Sequence, residues 1–296
     1  MAKINTTFTV LLFCTLVSSS VVAQNALDDD STRGWKKSAL VGMSVTQAAY
    51  SNWKAGGDNA FSGKGSFDVL FEHFSEKVYI ANLLQLSYGR SWGDTDGWRK
   101  IDDVLRYNFL AAYRTAGYFK PTFSVDFRTQ FDDGIDYDLS DEGVRLSTFM
   151  APGYLTETAG LGFIPSAWLK ALLGFAAKQT FVLEESLRDP GDPSFPENNG
   201  FGNGPDEAVR SEFGLNLNAV ASGAIIENVI GRSELSVFAA FDQMQYPDIR
   251  WNNLIQLKVN DWLNTTIEAE IFYDNDQSAD AQWRQLLALG VAFNLL

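Results

Sequence analysis

Residues 118–132 alternate apolar and polar positions without a break. Phe119, Pro121, Phe123, Val125, Phe127, Thr129 and Phe131 take one parity, and Lys120, Thr122, Ser124, Asp126, Arg128, Gln130 and Asp132 take the other. Successive side chains of an extended strand point to opposite faces, so this stretch predicts a strand with one apolar and one charged face. The layout recurs along the chain. It predicts twelve strands, near 37–48, 60–72, 77–90, 100–114, 118–131, 143–159, 166–182, 208–224, 229–242, 251–260, 264–273 and 283–296. In 265–273, for example, Ile267, Ala269, Ile271 and Tyr273 oppose Glu268 and Glu270.

The connections alternate as well. Long ones fall near 49–59, 91–99, 132–142, 183–207, 243–250 and 274–282, and short ones near 73–76, 115–117, 160–165, 225–228 and 261–263. Up-and-down antiparallel connectivity gathers the long loops at one end and the tight turns at the other, the asymmetry of outer-membrane barrels. The eight tryptophans add to this. Trp35, Trp53, Trp92, Trp98, Trp168, Trp251, Trp262 and Trp283 all fall in loops or near predicted strand ends, as aromatic girdles at two membrane interfaces require.

Twelve strands closed into one barrel enclose an interior too wide for the apolar set to fill. The apolar face is therefore expected to meet lipid and the charged face to line a lumen. That makes Lys64, Asp68, Asp102, Arg106, Arg114, Lys120, Asp126, Arg128, Lys178, Arg210, Glu212, Glu268 and Glu270 the candidate lumen residues. The fold class is all-β, a single transmembrane up-and-down antiparallel barrel over 37–296. It follows a polar segment at 24–36 and an export signal at 1–23, where Lys3, an apolar run from Val10 to Val17 and Val21-Val22-Ala23 supply the three parts of a signal peptide. The expected location is a Gram-negative outer membrane.

Composition narrows the partners. The formal charge is −14, or −15 without residues 1–23, which argues against nucleic acid. Cys14 is the only cysteine and lies in the signal, so disulfides do not hold the mature chain; a closed hydrogen-bonded sheet would. Expected partners are outer-membrane lipid and lipopolysaccharide, with the barrel-assembly machinery during biogenesis.

Candidate chemistry is sparse. His73, the sole histidine, shares the parity of Phe67, Val69 and Phe71 and has no visible nucleophile and orienting group beside it, so it reads as an interfacial residue rather than a general base. Gly200, Gly202 and Gly204 sit in an Asn- and Pro-rich loop, without the strand and helix that a dinucleotide fingerprint needs. No cofactor is expected. Asp133, Asp136, Asp138 and Asp141 crowd one external loop and are candidate calcium ligands, or else a solvated acidic surface.

Several stretches resemble one family. They are Ser51-Asn52-Trp53-Lys54-Ala55-Gly56-Gly57-Asp58-Asn59, Lys100-Ile101-Asp102-Asp103, Met150-Ala151-Pro152-Gly153-Tyr154-Leu155-Thr156, Lys178-Gln179-Thr180-Phe181-Val182-Leu183 and Gln256-Leu257-Lys258-Val259-Asn260. Together they resemble the Bacteroidetes-type outer-membrane β-barrel proteins known only as a domain of unknown function (DUF). The resemblance implies the barrel and its membrane and brings no catalytic residues. Three functional readings stay open: a small-solute channel or transport protein, a structural or surface-interaction barrel with acidic external loops, and an outer-membrane hydrolase.

Overall fold

The computed structural model describes residues 33–48, 59–94, 96–137, 139–140, 142–166, 168–188, 201–260, 262–278 and 280–294. Its strands are β1 (Gly34–Ala48), β2 (Ala60–Phe74), β3 (Val78–Gly93), β4 (Gly97–Tyr113), β5 (Phe119–Thr129), β6 (Gly134–Asp136), β7 (Val144–Ser147), β8 (Gly153–Ser166), β9 (Leu169–Phe181), β10 (Val209–Ile226), β11 (Val229–Ala240), β12 (Asp248–Lys258), β13 (Leu263–Tyr273) and β14 (Gln282–Asn294). Twelve of them close into one antiparallel barrel, in which β1 pairs with both β2 and β14. The closing register runs from Leu40↔Asn294 to Met43↔Val291. The remaining two, β6 and β7, form a small hairpin inside the β5–β8 connection. The export signal expected at 1–23 and most of the expected polar segment lie outside the described residues, as do Trp53, most of the Ser51–Asn59 stretch, Asp138 and Asp141.

Closure turns the period-two pattern into an inside and an outside. Phe175, Leu287 and Phe213 are 70%, 68% and 65% exposed, and Phe67, Phe71, Phe123, Leu161, Leu173 and Ile271 are exposed beside them. Apolar surface ringing a barrel on this scale is a lipid-facing band, since soluble proteins do not leave patches of that extent in water. Trp35, Trp168 and Trp262 stand exposed at the short-turn end, and Trp98, Trp251 and Trp283 at the long-loop end. These are the two girdles the sequence predicts. His73 stacks on Trp35, ring centroids 4.8 Å apart, in the short-turn girdle.

Several predicted boundaries change. The strand expected at 143–159 is β8 at Gly153–Ser166, and β9 already begins at Leu169, so the strand-to-strand connection does not fall at 160–165. Gly160 and Gly162 look like turn residues, but Gly160 pairs with Gly174 on β9, where an added Cβ would meet the carbonyl oxygen of Leu173 at 2.1 Å. The glycines there allow two backbones to approach closely, a strand role that mimics a turn signal. The long loop expected at 91–99 shortens, because β3 runs to Gly93 and β4 starts at Gly97, a paired hairpin that continues beyond the length a bilayer needs. Finally, β1 begins at Gly34, inside the predicted polar segment.

The extended β3–β4 hairpin anchors the β5–β8 loop. The backbone N–H groups of Phe131 and Asp132 donate to the Asp103 carboxylate at 2.7 and 2.9 Å. Lys100 Nζ donates to Asp103 Oδ2 at 2.9 Å and to the Asp132 carbonyl at 2.8 Å. The Tyr88 hydroxyl donates to the Asp132 carboxylate at 2.6 Å. That hydroxyl and the N–H of Asp133 hold the Asp132 carboxyl below the usual carboxylate range. A lowered folded-state pKa gives stability that is present above the ordinary value, about 3.9, and lost as pH falls through the lowered one. Backbone amides of residues 131–136 are therefore expected to stay protected from hydrogen exchange at pH about 4 and to lose protection only in stronger acid. Asp132→Asn removes the titrating carboxylate, so protection should already be lower at pH about 4 and should vary less with acid; unchanged protection would disconnect Asp132 from docking.

Candidate functional site

The site is the lumen, and each strand grades it from one end to the other. On β2 the inward residues run Lys64, Ser66, Asp68 and then Leu70, and on β4 they run Asp102, Arg106, Asn108 and then Leu110 and Ala112 toward the short turns. Inward positions on β10 and β12 end the same way, with Val220 and Leu254, while β9 carries Leu172 and then, nearest the turn, Lys170. The result is a cavity of about 400 Å³ with most of its charge toward the long loops and, Lys170 apart, hydrocarbon toward the short turns. Below it Phe74, Tyr79, Ala112 and Ile164 pack as a buried cluster, where the Tyr79 hydroxyl donates to Glu72 at 2.6 Å.

A belt of ion pairs crosses the charged half. Arg106 meets Asp126 at 2.8 Å on the adjacent strand β5 and Glu234 at 3.4 Å on β11. In the ring order β4, β5, β8, β9, β10, β11, the second contact joins nearly opposite walls. Arg232 braces Glu234 at 2.9 Å. On the other side Arg284 holds Glu270 at 2.5 Å and Glu268 at 3.3 Å, and reaches Asp102 on β4 at 3.7 Å. Arg250 takes the other oxygen of Glu270 at 2.6 Å, and Lys64 pairs with Asp102 at 2.6 Å. Ser87 also donates to Asp102, at 2.6 Å, and Gln85 donates to Asp68 at 3.3 Å.

A second cluster stands at the long-loop mouth. Lys178 meets Asp248 and, at 3.7 Å, Glu212; its ammonium also lies over the rings of Tyr154 and Phe238 at 5.5 and 5.4 Å. Arg210 pairs with Glu212 at 2.8 Å and with Asp276. Gln277 donates to the Tyr154 hydroxyl at 2.8 Å. Asp276 and Gln277 belong to the β13–β14 loop, yet their partners are on β10 and β8, so this loop reaches across the mouth.

The structure thus sorts the predicted lumen residues. Lys64, Asp68, Asp102, Arg106, Asp126, Arg128, Glu268 and Glu270 line the cavity. Lys178, Arg210 and Glu212 form the mouth cluster. Lys120 is buried near the short turns and donates to the Thr115 carbonyl. Arg114 departs from expectation: it sits in the turn after β4, where its guanidinium donates to the Ser75 carbonyl at 2.8 Å, because β4 ends one residue earlier. Of the calcium candidates, Asp133 lies 3.9 Å from Arg145 and Asp136 lies in β6. No group of three or more ligating side chains suited to a metal occurs among the described residues.

Sequence reasoning missed Arg232, Glu234, Arg250 and Arg284, which complete the belt. The first two share the even parity of Ser236 on β11, so parity alone would have found them. Arg250 was lost because β12 begins at Asp248, earlier than the predicted 251.

Residues 45–135 match a family model described as protein of unknown function (DUF3078), a span that contains the first two stretches of the family resemblance. No curated protein matches the chain in sequence. Among solved structures, an outer-membrane channel from Pseudomonas putida F1 is 11% identical with a TM-score of 0.42, covering 90% of this chain and 99% of that one. The translocator domain of the autotransporter NalP from Neisseria meningitidis is 10% identical with a TM-score of 0.37, covering 92% of each chain. The β domain of the Bordetella autotransporter BrkA is 11% identical with a TM-score of 0.31, covering 88% of this chain and 97% of that one.

Proposed function

We propose that this barrel is a channel of a Gram-negative outer membrane that admits small solutes through its lumen. The observation that carries the reading is the cavity itself, lined from eleven of the twelve barrel strands and therefore the lumen rather than a groove between loops. A purely structural barrel gains by filling this space with side chains, as small barrels do. Here the wall residues pair with one another and leave about 400 Å³ between them. Mixed-sign pairs keep the wall polar without a large net field, which suits small solutes better than bulk ion flow. On this reading the lipid-facing band sits among outer-membrane lipid and lipopolysaccharide, the barrel-assembly machinery inserts the chain, and the protein performs no catalytic step.

The test is reconstitution of the purified protein into planar bilayers. Stepwise openings are expected, with small unitary conductance because the belt and the β13–β14 loop both narrow the route. Silence at every voltage, from protein whose gel migration is heat-modifiable and hence folded, would overturn the channel.

A further inference from the structure

The ion-pair belt leaves one cation over. Lys64, Arg106, Arg232, Arg250 and Arg284 each have a carboxylate within 4.0 Å. Arg128 lines the same cavity and has neither a hydrogen bond nor an ion pair among the described residues. It stands directly across from Arg106 in the β4–β5 register, a like-charge placement that costs stability. Arg250 and Arg106 repel it, while Glu270 and Asp126 attract it from beyond ion-pair distance. A partly buried guanidinium set among other cations, with its carboxylates already engaged, is a site waiting for an anion.

The second observation is what lies on the short-turn side of it. Leu70, Leu83, Leu110, Leu172, Val220 and Leu254 line the mostly apolar half of the cavity, with Lys170 beside them at its short-turn edge. We infer that the lumen binds an amphiphilic organic monoanion, a carboxylate held by Arg128 with its hydrocarbon against these side chains. The guanidinium fork matches a carboxylate with two parallel hydrogen bonds. The volume, about 400 Å³, lies within the usual range of small-molecule sites. A more highly charged anion fits worse, because Asp126, Glu234 and Glu270 stand close by and repel it. The inference deepens the channel reading and rests on it for how the anion arrives and leaves, but binding can be measured without passage.

Calorimetric titration of the barrel in lipid nanodiscs, with empty discs as the blank, tests it with octanoate as the probe. Saturable octanoate binding is expected, with acetate and 1-octanol each weaker by about tenfold or more, since each supplies one half of the contact. Arg128→Gln should weaken octanoate by about tenfold and leave 1-octanol unchanged, and Arg128→Lys should retain part of the affinity. Leu83→Asn should weaken octanoate and leave acetate unchanged. Equal binding of octanoate and 1-octanol by the unmodified protein would overturn the anion site without recourse to any variant, as would equal octanoate binding by folded Arg128→Gln. Octanoate binding by a barrel silent in bilayers would sink the channel and keep the site; conductance without octanoate binding would do the reverse.

Discussion

Arginine in place of Phe123 is expected to destabilise the folded barrel in a bilayer by about 2–4 kcal/mol, the cost of a guanidinium on the lipid face near mid-depth. Phe123 is in the middle of β5, exposed on the apolar side, with its ring 6.4 Å from that of Phe109 on β4. The same strand provides its own control. Asp126 and Arg128 are charged, belong to the opposite parity and face the cavity, where partners and water meet them. The cost in Phe123→Arg thus comes from the face, not from charge on the strand. Phe123→Leu, which keeps the face apolar, should cost less than about 1.5 kcal/mol. Urea titration of vesicle-embedded protein, read by heat-modifiable gel migration, separates the two. Equal stabilities of the arginine and leucine variants would mean that the apolar face does not meet lipid, and the membrane reading would fail with it.

That face was legible because a period of two repeated over twelve segments gives many independent votes, and a boundary error of two residues does not change the parity. The loops were less legible. Met150-Ala151-Pro152 precedes β8, yet parity alone extends the strand back to 143, where the short β7 begins at Val144. Gly160 and Gly162 carry a turn composition for a reason that depends on β9 lying against them. The pairing of charges was not legible at all. Arg106 and Glu234 are 128 positions apart, and their meeting depends on barrel closure and stagger, which no local pattern encodes. Nor could the sequence identify Arg128 as the odd cation, because an unpaired charge is defined by every neighbour that binds something else.

The contact between Arg106 and Glu234 gives the largest functional expectation, because it spans the lumen. A solute travelling from the mouth to the apolar half must pass beside this bridge. Removing either end should widen the route, and the two removals should bias it oppositely. Arg106→Ala leaves Asp126 and Glu234 with one cation fewer between them, and Glu234→Ala leaves Arg106 and Arg232 with one carboxylate fewer. In a water-filled lumen a unit charge about 6 Å from a passing ion is worth about 0.7 kcal/mol, roughly threefold in occupancy. The effect has opposite sign for cations and anions, so each single variant should move the cation-to-anion permeability ratio by roughly tenfold. Arg106→Ala should favour cations and Glu234→Ala anions. The double variant restores the charge balance while removing both side chains, so it should return the reversal potential toward that of the unmodified protein and give the highest conductance of the four. Stability losses should stay below the roughly 3–5 kcal/mol of a fully buried pair, because Arg106 and Glu234 are each 28% exposed and water can reach what is left behind. Singles that alter neither conductance nor reversal potential would mean that current bypasses the bridge. Matching shifts of the same sign would mean that the variants act through barrel distortion instead of through the charges at this crossing.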